Sequence, residues 1–395
     1  MHQNSATTRI QANSGPLSLF AAFSLMLIYA MGFMTVTYAP VWLPAIAARY
    51  TIPLVHVGVV VSLELGAVAL SSMLTATLVD TRHLCWPVVL GLIISISANL
   101  IAAVSSTFAA FAVARVIVGF ANGFLVADVN RRAAQTEVPA RIFAGQLFVM
   151  GVLAAIFFAT APRMITAWGA GGPFFYCASA GVVSLIAVFW LPVSACPVTT
   201  EPTNVTFRVT FPGALILGAP TLIFITLNGV WPYISAAAPS AGVGLAGIST
   251  LLAIGAVLNL AAPMISGWLA NGRISPALAM TLGVCAIAAT VVFLTAAKNA
   301  MLFGIGVLFL PFSVMFVIPF YLDLLVQLDK SGKCVAASAA FIAVGFAIGP
   351  AAGGLLMEHA GLAGLAIGGG VAMLLTLLAT WVVLMRRLKI APSLD

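Results

Sequence analysis

The chain has 395 residues, of which 63% are hydrophobic and only 6% charged. A soluble domain carries about 25% charged residues, and the mean hydropathy of +1.18 leaves no polar surface for a water-soluble enzyme or a disordered chain. The net charge of +7 is scattered in ones and twos between apolar runs, the pattern of membrane loops and not of a nucleic-acid-binding patch.

A membrane-crossing helix needs about 20 mostly apolar residues. With Gly, Pro and charged clusters as punctuation, spans fall at 17–40, 54–78, 84–104, 108–129, 142–165, 173–195, 213–235, 243–268, 276–297, 300–324, 335–357 and 364–386. The pattern predicts an all-α integral membrane protein of twelve transmembrane helices. The ten-residue alternating segments of a membrane β-barrel are absent. The polar start and the long run from Leu17 do not fit a cleavable leader. A polar interval from about Pro197 to Pro212 divides the chain into 1–196, a cytoplasmic linker 197–212, and 213–395.

Charge sets the expected orientation. If both termini are cytoplasmic, twelve of the sixteen Lys and Arg fall in inner segments, three (Arg49, Arg163 and Lys298) fall outside, and Arg115 is within a span. The positive-inside rule therefore predicts a multi-pass cell-membrane protein with cytoplasmic termini. The Asn204-Val205-Thr206 sequon would then lie in the cytoplasm and be inert. Five cysteines without close pairing support neither a disulfide framework nor a metal site, and no cofactor motif is present.

The two halves repeat. Ala76-Thr77-Leu78-Val79-Asp80-Thr81-Arg82 after span 2 aligns with Gly267-Trp268-Leu269-Ala270-Asn271-Gly272-Arg273 after span 8. Asp128 in span 4 and Asp323 in span 10 follow at similar distances, and parallel six-helix halves are a transporter architecture.

These loops resemble the Gly-x-Leu-Ala-Asp-Arg-x-Gly-Arg signature of the major facilitator superfamily. Arg115-Val-Ile-Val-Gly119 resembles its Arg-x-x-Gln-Gly motif, with Val118 in place of Gln. Gly345, Gly349, Pro350, Gly353 and Gly354 reproduce Gly-x-x-x-Gly-Pro-x-x-Gly-Gly, an interface motif that drug/proton antiporters of the superfamily carry in span 5. Here it falls in span 11, the repeat mate of span 5. Ala76 and His83 also replace expected glycines. The resemblance implies two pseudo-symmetric six-helix bundles, a monomer, and an inner gate of Asp80, Arg82 and Asp128, with Arg273 and Asp323 as its second-half copy. Helix-end solvation of those charges is the alternative, and their recurrence in both halves favours the gate.

Glu64 and Arg115 lie within spans at similar depth, where a charge costs about 2.5–3.5 kcal/mol and normally faces a partner or a cavity. Glu64 is a candidate proton carrier, since burial disfavours a carboxylate and a nearby guanidinium favours it. Arg115 is a candidate anchor for an anionic substrate group. A fixed ion pair between helices is the alternative. His56, eight residues before Glu64, is a candidate relay, although histidines at helix ends are usually just solvated.

By the same resemblance, spans 1, 4, 7 and 10 line a central cavity. They offer Tyr29, Phe33 and Tyr38, then Asn122, then Asn228, Trp231 and Tyr233. Phe309, Phe312, Phe316 and Phe320 share one face of span 10, a stripe that also suits lipid or core packing. The amide of Asn228 needs a partner in an apolar helix. So apolar a cavity argues against a sugar. It suits a small amphipathic or aromatic organic solute, including an organic anion, with the proton as coupling ion and the bilayer as the surrounding partner. Drug or metabolite efflux by antiport and facilitative uniport stay open, as does import against export. A membrane-embedded enzyme would need a catalytic cluster, and Glu64 with His56 is thin evidence for one.

Overall fold

A computed structural model describes residues 18–78, 85–192, 211–270, 272–328 and 333–390. The expected linker thus lies almost wholly outside the described residues, as do Asp80 and Arg82. Among the described residues the regular structure is entirely helical: α1 (Leu19–Thr37), α2 (Ala39–Tyr50), α3 (Leu54–Leu78), α4 (Trp86–Val104), α5 (Phe108–Ala134), α6 (Pro139–Trp168) and α7 (Gly172–Ala187) in the first half. The second half holds α8 (Phe211–Val230), α9 (Ile234–Ala237), α10 (Leu245–Asn259), α11 (Ala261–Ala270), α12 (Pro276–Ala296), α13 (Ala300–Leu328) and α14 (Lys333–Ile390).

Ten segments of the described chain are long and apolar enough to cross a membrane. Two of them, Arg141–Trp190 and Ala337–Arg386, run to 50 residues. A straight helix of that length would reach about 75 Å. Neither is straight. Gly169 (φ 59, ψ −150) ends α6, and Gly361 (φ 59, ψ −147) interrupts α14. After each glycine the chain folds back. The Tyr176 hydroxyl donates to Leu153 O at 3.0 Å, and a Cβ on Gly364 would lie 2.4 Å from Leu356 O.

The first predicted span, 17–40, breaks just before its expected end. Tyr38 caps α1, and α2 continues as a separate helix with Pro40 in its first turn and Pro44 inside it. A proline contributes no N–H to the helical ladder, so the stretch 41–50, expected as a loop, is a proline-adapted helix. Span 8 is also split, into α10 and α11, just before Pro263.

Several ends are tied down by side chains. Ser18, Thr107 and Ser275 accept from Ala21, Ala110 and Leu278 N–H groups at the starts of α1, α5 and α12, satisfying donors that a helix leaves open. Arg49 donates to Ala103 O at 2.8 Å and Ser105 O at 2.7 Å. It thereby caps the negative end of α4.

Close helix packing depends on glycine at two crossings. A Cβ on Gly119 of α5 would lie 2.4 Å from Glu64 O of α3, and one on Gly353 of α14 would lie 2.0 Å from Gly229 O of α8. The interface motif read from the sequence is therefore a packing device. Gly345, Gly349 and Gly353, each four residues on, face α8. Pro350, Ala351 and Gly354 turn to the first half, near Gly58, Ser62 and Val55 of α3.

Candidate functional site

The centre of the first half is a polar network spanning four helices. Glu64 of α3 is 1% exposed and Arg115 of α5 is fully buried. Arg115 donates from Nε to Glu64 Oε2 at 3.0 Å, and from Nη2 to Glu64 Oε1. This is the two-pronged geometry that makes guanidinium–carboxylate pairs strong. The Thr35 hydroxyl of α1 donates to Glu64 Oε1 at 2.5 Å. The remaining prong of Arg115, Nη1, donates to Asn99 Oδ1 of α4 at 2.9 Å, and the guanidinium lies over the Phe174 ring, 5.3 Å from its centre.

The network continues away from the charges. Asn99 Nδ2 donates to Ser95 O at 2.9 Å, Ser95 Oγ to Asn122 Oδ1 at 2.8 Å, and Asn122 Nδ2 to Gly32 O at 3.3 Å. Asn122, expected on the cavity wall, is 1% exposed, with both ends of its amide engaged inside the first half. Spacing and composition do not single out Thr35, Asn99 or Ser95. Asn99 nevertheless carries a signal that could have found it, an amide in an otherwise apolar span, the same argument applied to Asn228.

The other predicted residues distribute as follows. His56 is exposed in the first turn of α3. Eight residues is a little over two turns, about 12 Å along the helix from Glu64, and no hydrogen bond joins the two. Tyr29 and Phe33 are half-buried, their rings 5.4 Å apart. Phe312 is half-buried against Phe309 at 5.7 Å. Asn228 is buried, and its amide donates to Phe224 O one turn back at 3.0 Å. The Trp231 indole N–H, expected in the cavity, donates across the halves to Thr37 O at 2.9 Å.

Among the gating candidates, Asp128 is buried and accepts from Arg132 Nε at 2.6 Å. Arg132 also reaches Pro192 O at 2.9 Å, while Arg131 reaches Thr75 O at 2.6 Å. The end of α5 is thus tied to the ends of its neighbours in the same half. The second-half residues do not meet one another. Arg273 donates to Trp268 O at 2.7 Å and lies over that indole, and Asp323 accepts from Gln327 at 2.7 Å. The described cysteines Cys85, Cys177 and Cys285 are free thiols, and the described residues hold no cluster of three or more metal-ligand side chains.

Three hydrogen bonds join the halves among the described residues, and all lie between the level of Glu64 and the Leu54 end of α3. They are Trp231 to Thr37 O, Ser235 Oγ to Pro40 O, and Ala351 N–H to Ser62 Oγ at 2.8 Å.

This architecture matches solved membrane transporters over nearly its whole length. The nucleoside transporter NupG superposes with a TM-score of 0.69 at 13% identity, covering 92% of this chain and 99% of that one. The POT family transporter PepTSo gives 0.73 at 10% identity, with coverage of 95% and 98%. A D-xylose-proton symporter gives 0.70 at 12% identity, with coverage of 90% and 97%.

The chain has a transporter fold.

At such identities the likeness is one of fold alone, that of an all-helical membrane transporter. No protein-family profile matches the sequence, and no curated protein is similar to it.

Proposed function

We propose that the chain is a secondary active transporter of the cell membrane, moving a small amphipathic or aromatic organic solute, including organic anions, by proton-coupled alternating access. In this reading the two 50-residue segments that fold back at Gly169 and Gly361 each cross twice. The ten candidate segments become twelve crossings in two six-helix bundles, with both termini in the cytoplasm. The closed end, with Trp231, Ser235 and Ser62, is then the outer one, and the molecule is held closed to the outside.

The observation that carries proton coupling is a contrast inside one molecule. By the repeat, α3 and α5 correspond to α10 and α13. At the crossing where α3 and α5 place Glu64 and Arg115, α10 and α13 place Gly255 against Val307, with a Cβ on Gly255 lying 3.6 Å from Val307 O. The second half makes this crossing without charge. An ion pair is therefore not something the architecture requires, and buried pairs are weak stabilisers compared with apolar packing. Its presence in one half supports a working role, in which Glu64 takes the proton and Arg115 is its partner between turnovers. In this reading the half-buried aromatic side chains Tyr29, Phe33 and Phe312 recognise the solute, with Arg115 drawn to a substrate anion when Glu64 is neutral.

The test works without the solute being identified. Thermal shifts of purified wild type and Glu64→Gln are measured against an organic-anion and aromatic panel at pH 6 and pH 8, since a ligand of the native state stabilises it by mass action. A hit whose shift depends on pH in wild type but not in Glu64→Gln supports the reading. Equal responses of both proteins at both pH values would replace proton coupling by uniport, with a structural Glu64.

A further inference from the structure

The carbonyls that hold the two halves together are released by the local sequence where α1 gives way to α2. In a regular helix Pro40 O would accept from the N–H of residue 44, but residue 44 is proline and has none. Thr37 O would accept from Val41 N–H, which instead donates to Tyr38 O at 3.0 Å because the chain bends at Tyr38. Both orphaned acceptors are taken by the second half, Pro40 O by Ser235 Oγ and Thr37 O by the Trp231 indole. A buried carbonyl left without a donor is costly, so these two bonds favour the closed end.

Thr35 stands between this break and the charged network. Its hydroxyl donates to Glu64 at 2.5 Å, and its carbonyl accepts from the Trp42 indole at 2.6 Å. The segment 35–42 is therefore gripped from one side by Glu64 and from the other by Trp231 and Ser235. We propose that Thr35 is a positioning residue that ties the charge of Glu64 to an outer latch, formed by Trp231 and Ser235 on the freed carbonyls of Thr37 and Pro40. The proposal rests on the proton-coupled reading above and assigns to that site the element through which it acts.

The groups facing Glu64 from the elements around it are few. Thr35 comes from α1 and Arg115 from α5, Asn99 of α4 stands behind Arg115, and the Cys177 thiol of α7 lies within electrostatic reach. From α14 the Ala351 N–H donates to Ser62 of α3, and His56 of α3 is exposed, about 12 Å along the helix from Glu64. Ionised Glu64 is the strong acceptor for the Thr35 hydroxyl. A proton on Glu64 weakens that grip and so loosens the latch. Acid then shifts the population towards opening.

The experiment is amide hydrogen exchange of the full chain in lipid nanodiscs at pH 6 and pH 8, corrected for intrinsic exchange, read in segments 35–43 and 231–241. Wild type is expected to exchange faster at pH 6 by on the order of tenfold, the scale of one hydrogen bond to a charged group. Glu64→Gln should lose the pH effect, Thr35→Val should lose it while Thr35→Ser keeps it, and Trp231→Phe should exchange fast at both pH values. If Glu64→Gln abolishes the pH effect and Thr35→Val leaves it intact, the role of Thr35 is overturned while proton coupling stands. If Glu64→Gln keeps the effect, proton coupling at Glu64 fails first. Unchanged exchange in Trp231→Phe overturns the latch.

Discussion

Gly169 and Gly361, 192 positions apart (361 less 169), adopt the same backbone conformation, at φ 59, ψ −150 and φ 59, ψ −147. The contacts that follow keep that spacing. A Cβ on Gly172 would lie 2.8 Å from Met164 O, and one on Gly364 would lie 2.4 Å from Leu356 O. The two halves turn the chain back by one device, in a region of backbone space essentially reserved for glycine.

That geometry separates conformational strain from crowding. No atom lies within 4 Å of a Cβ on Gly361, so Gly361→Ala should cost about 1–3 kcal/mol through backbone strain alone. Gly370 has the same open space in helical backbone, and Gly370→Ala should be neutral or stabilise by about 0.5–1 kcal/mol. Thermal melting of the two variants side by side checks both. Equal melting temperatures would contradict the assignment of strain to Gly361.

Crowding governs Gly353 instead. A methyl there meets backbone, Gly229 O at 2.0 Å, which cannot swing away as a flexible side chain would. Gly353→Ala should destabilise by about 1–3 kcal/mol as α8 and α14 are forced apart. The loss should appear in detergent melting curves and should grow for Gly353→Val.

The buried ion pair should respond asymmetrically. Arg115→Met leaves a buried carboxylate without its main partner and should cost about 3–5 kcal/mol, whereas Glu64→Met with Arg115→Leu should recover most of that stability. On the proposed function, the double variant should melt near wild type and still transport nothing against a gradient. Recovered stability with full coupling would reduce the pair to a structural role.

At the other end of the bundle, Arg132 joins Asp128 to Pro192 O. Arg132→Lys keeps a charge for Asp128 but has no second planar prong for the carbonyl. It should lose about 1–2 kcal/mol and raise hydrogen exchange at the ends of α5 and α7 together. Faster exchange in α5 alone would mean that the bridge to Pro192 contributes nothing.

The sequence by itself determined the membrane and the helical, apolar character of its segments, because these depend on composition and spacing along the chain. An isolated apolar run of about 20 residues has one physical use, and two intramembrane charges at matching depth have few partners to choose from. That is why Glu64 and Arg115 could be paired before any contact was known. It also marked the Gly-Pro motif, though not its use as two faces, one for α8 and one for the opposite half.

Only the tertiary structure decided what the uncharged polar residues do. Asn122 and Trp231 read as cavity groups because the superfamily resemblance places spans 4 and 7 on the cavity wall, and the sequence does not say what an amide or an indole there bonds to. The fold gives Asn122 to Ser95 and Gly32, and it gives Trp231 to a carbonyl of helix 1. Thr35, Ser62 and Ser235 were invisible for the same reason. A hydroxyl in a membrane helix usually satisfies itself on its own backbone one turn back, and only three dimensions reveal the few that reach across to another helix.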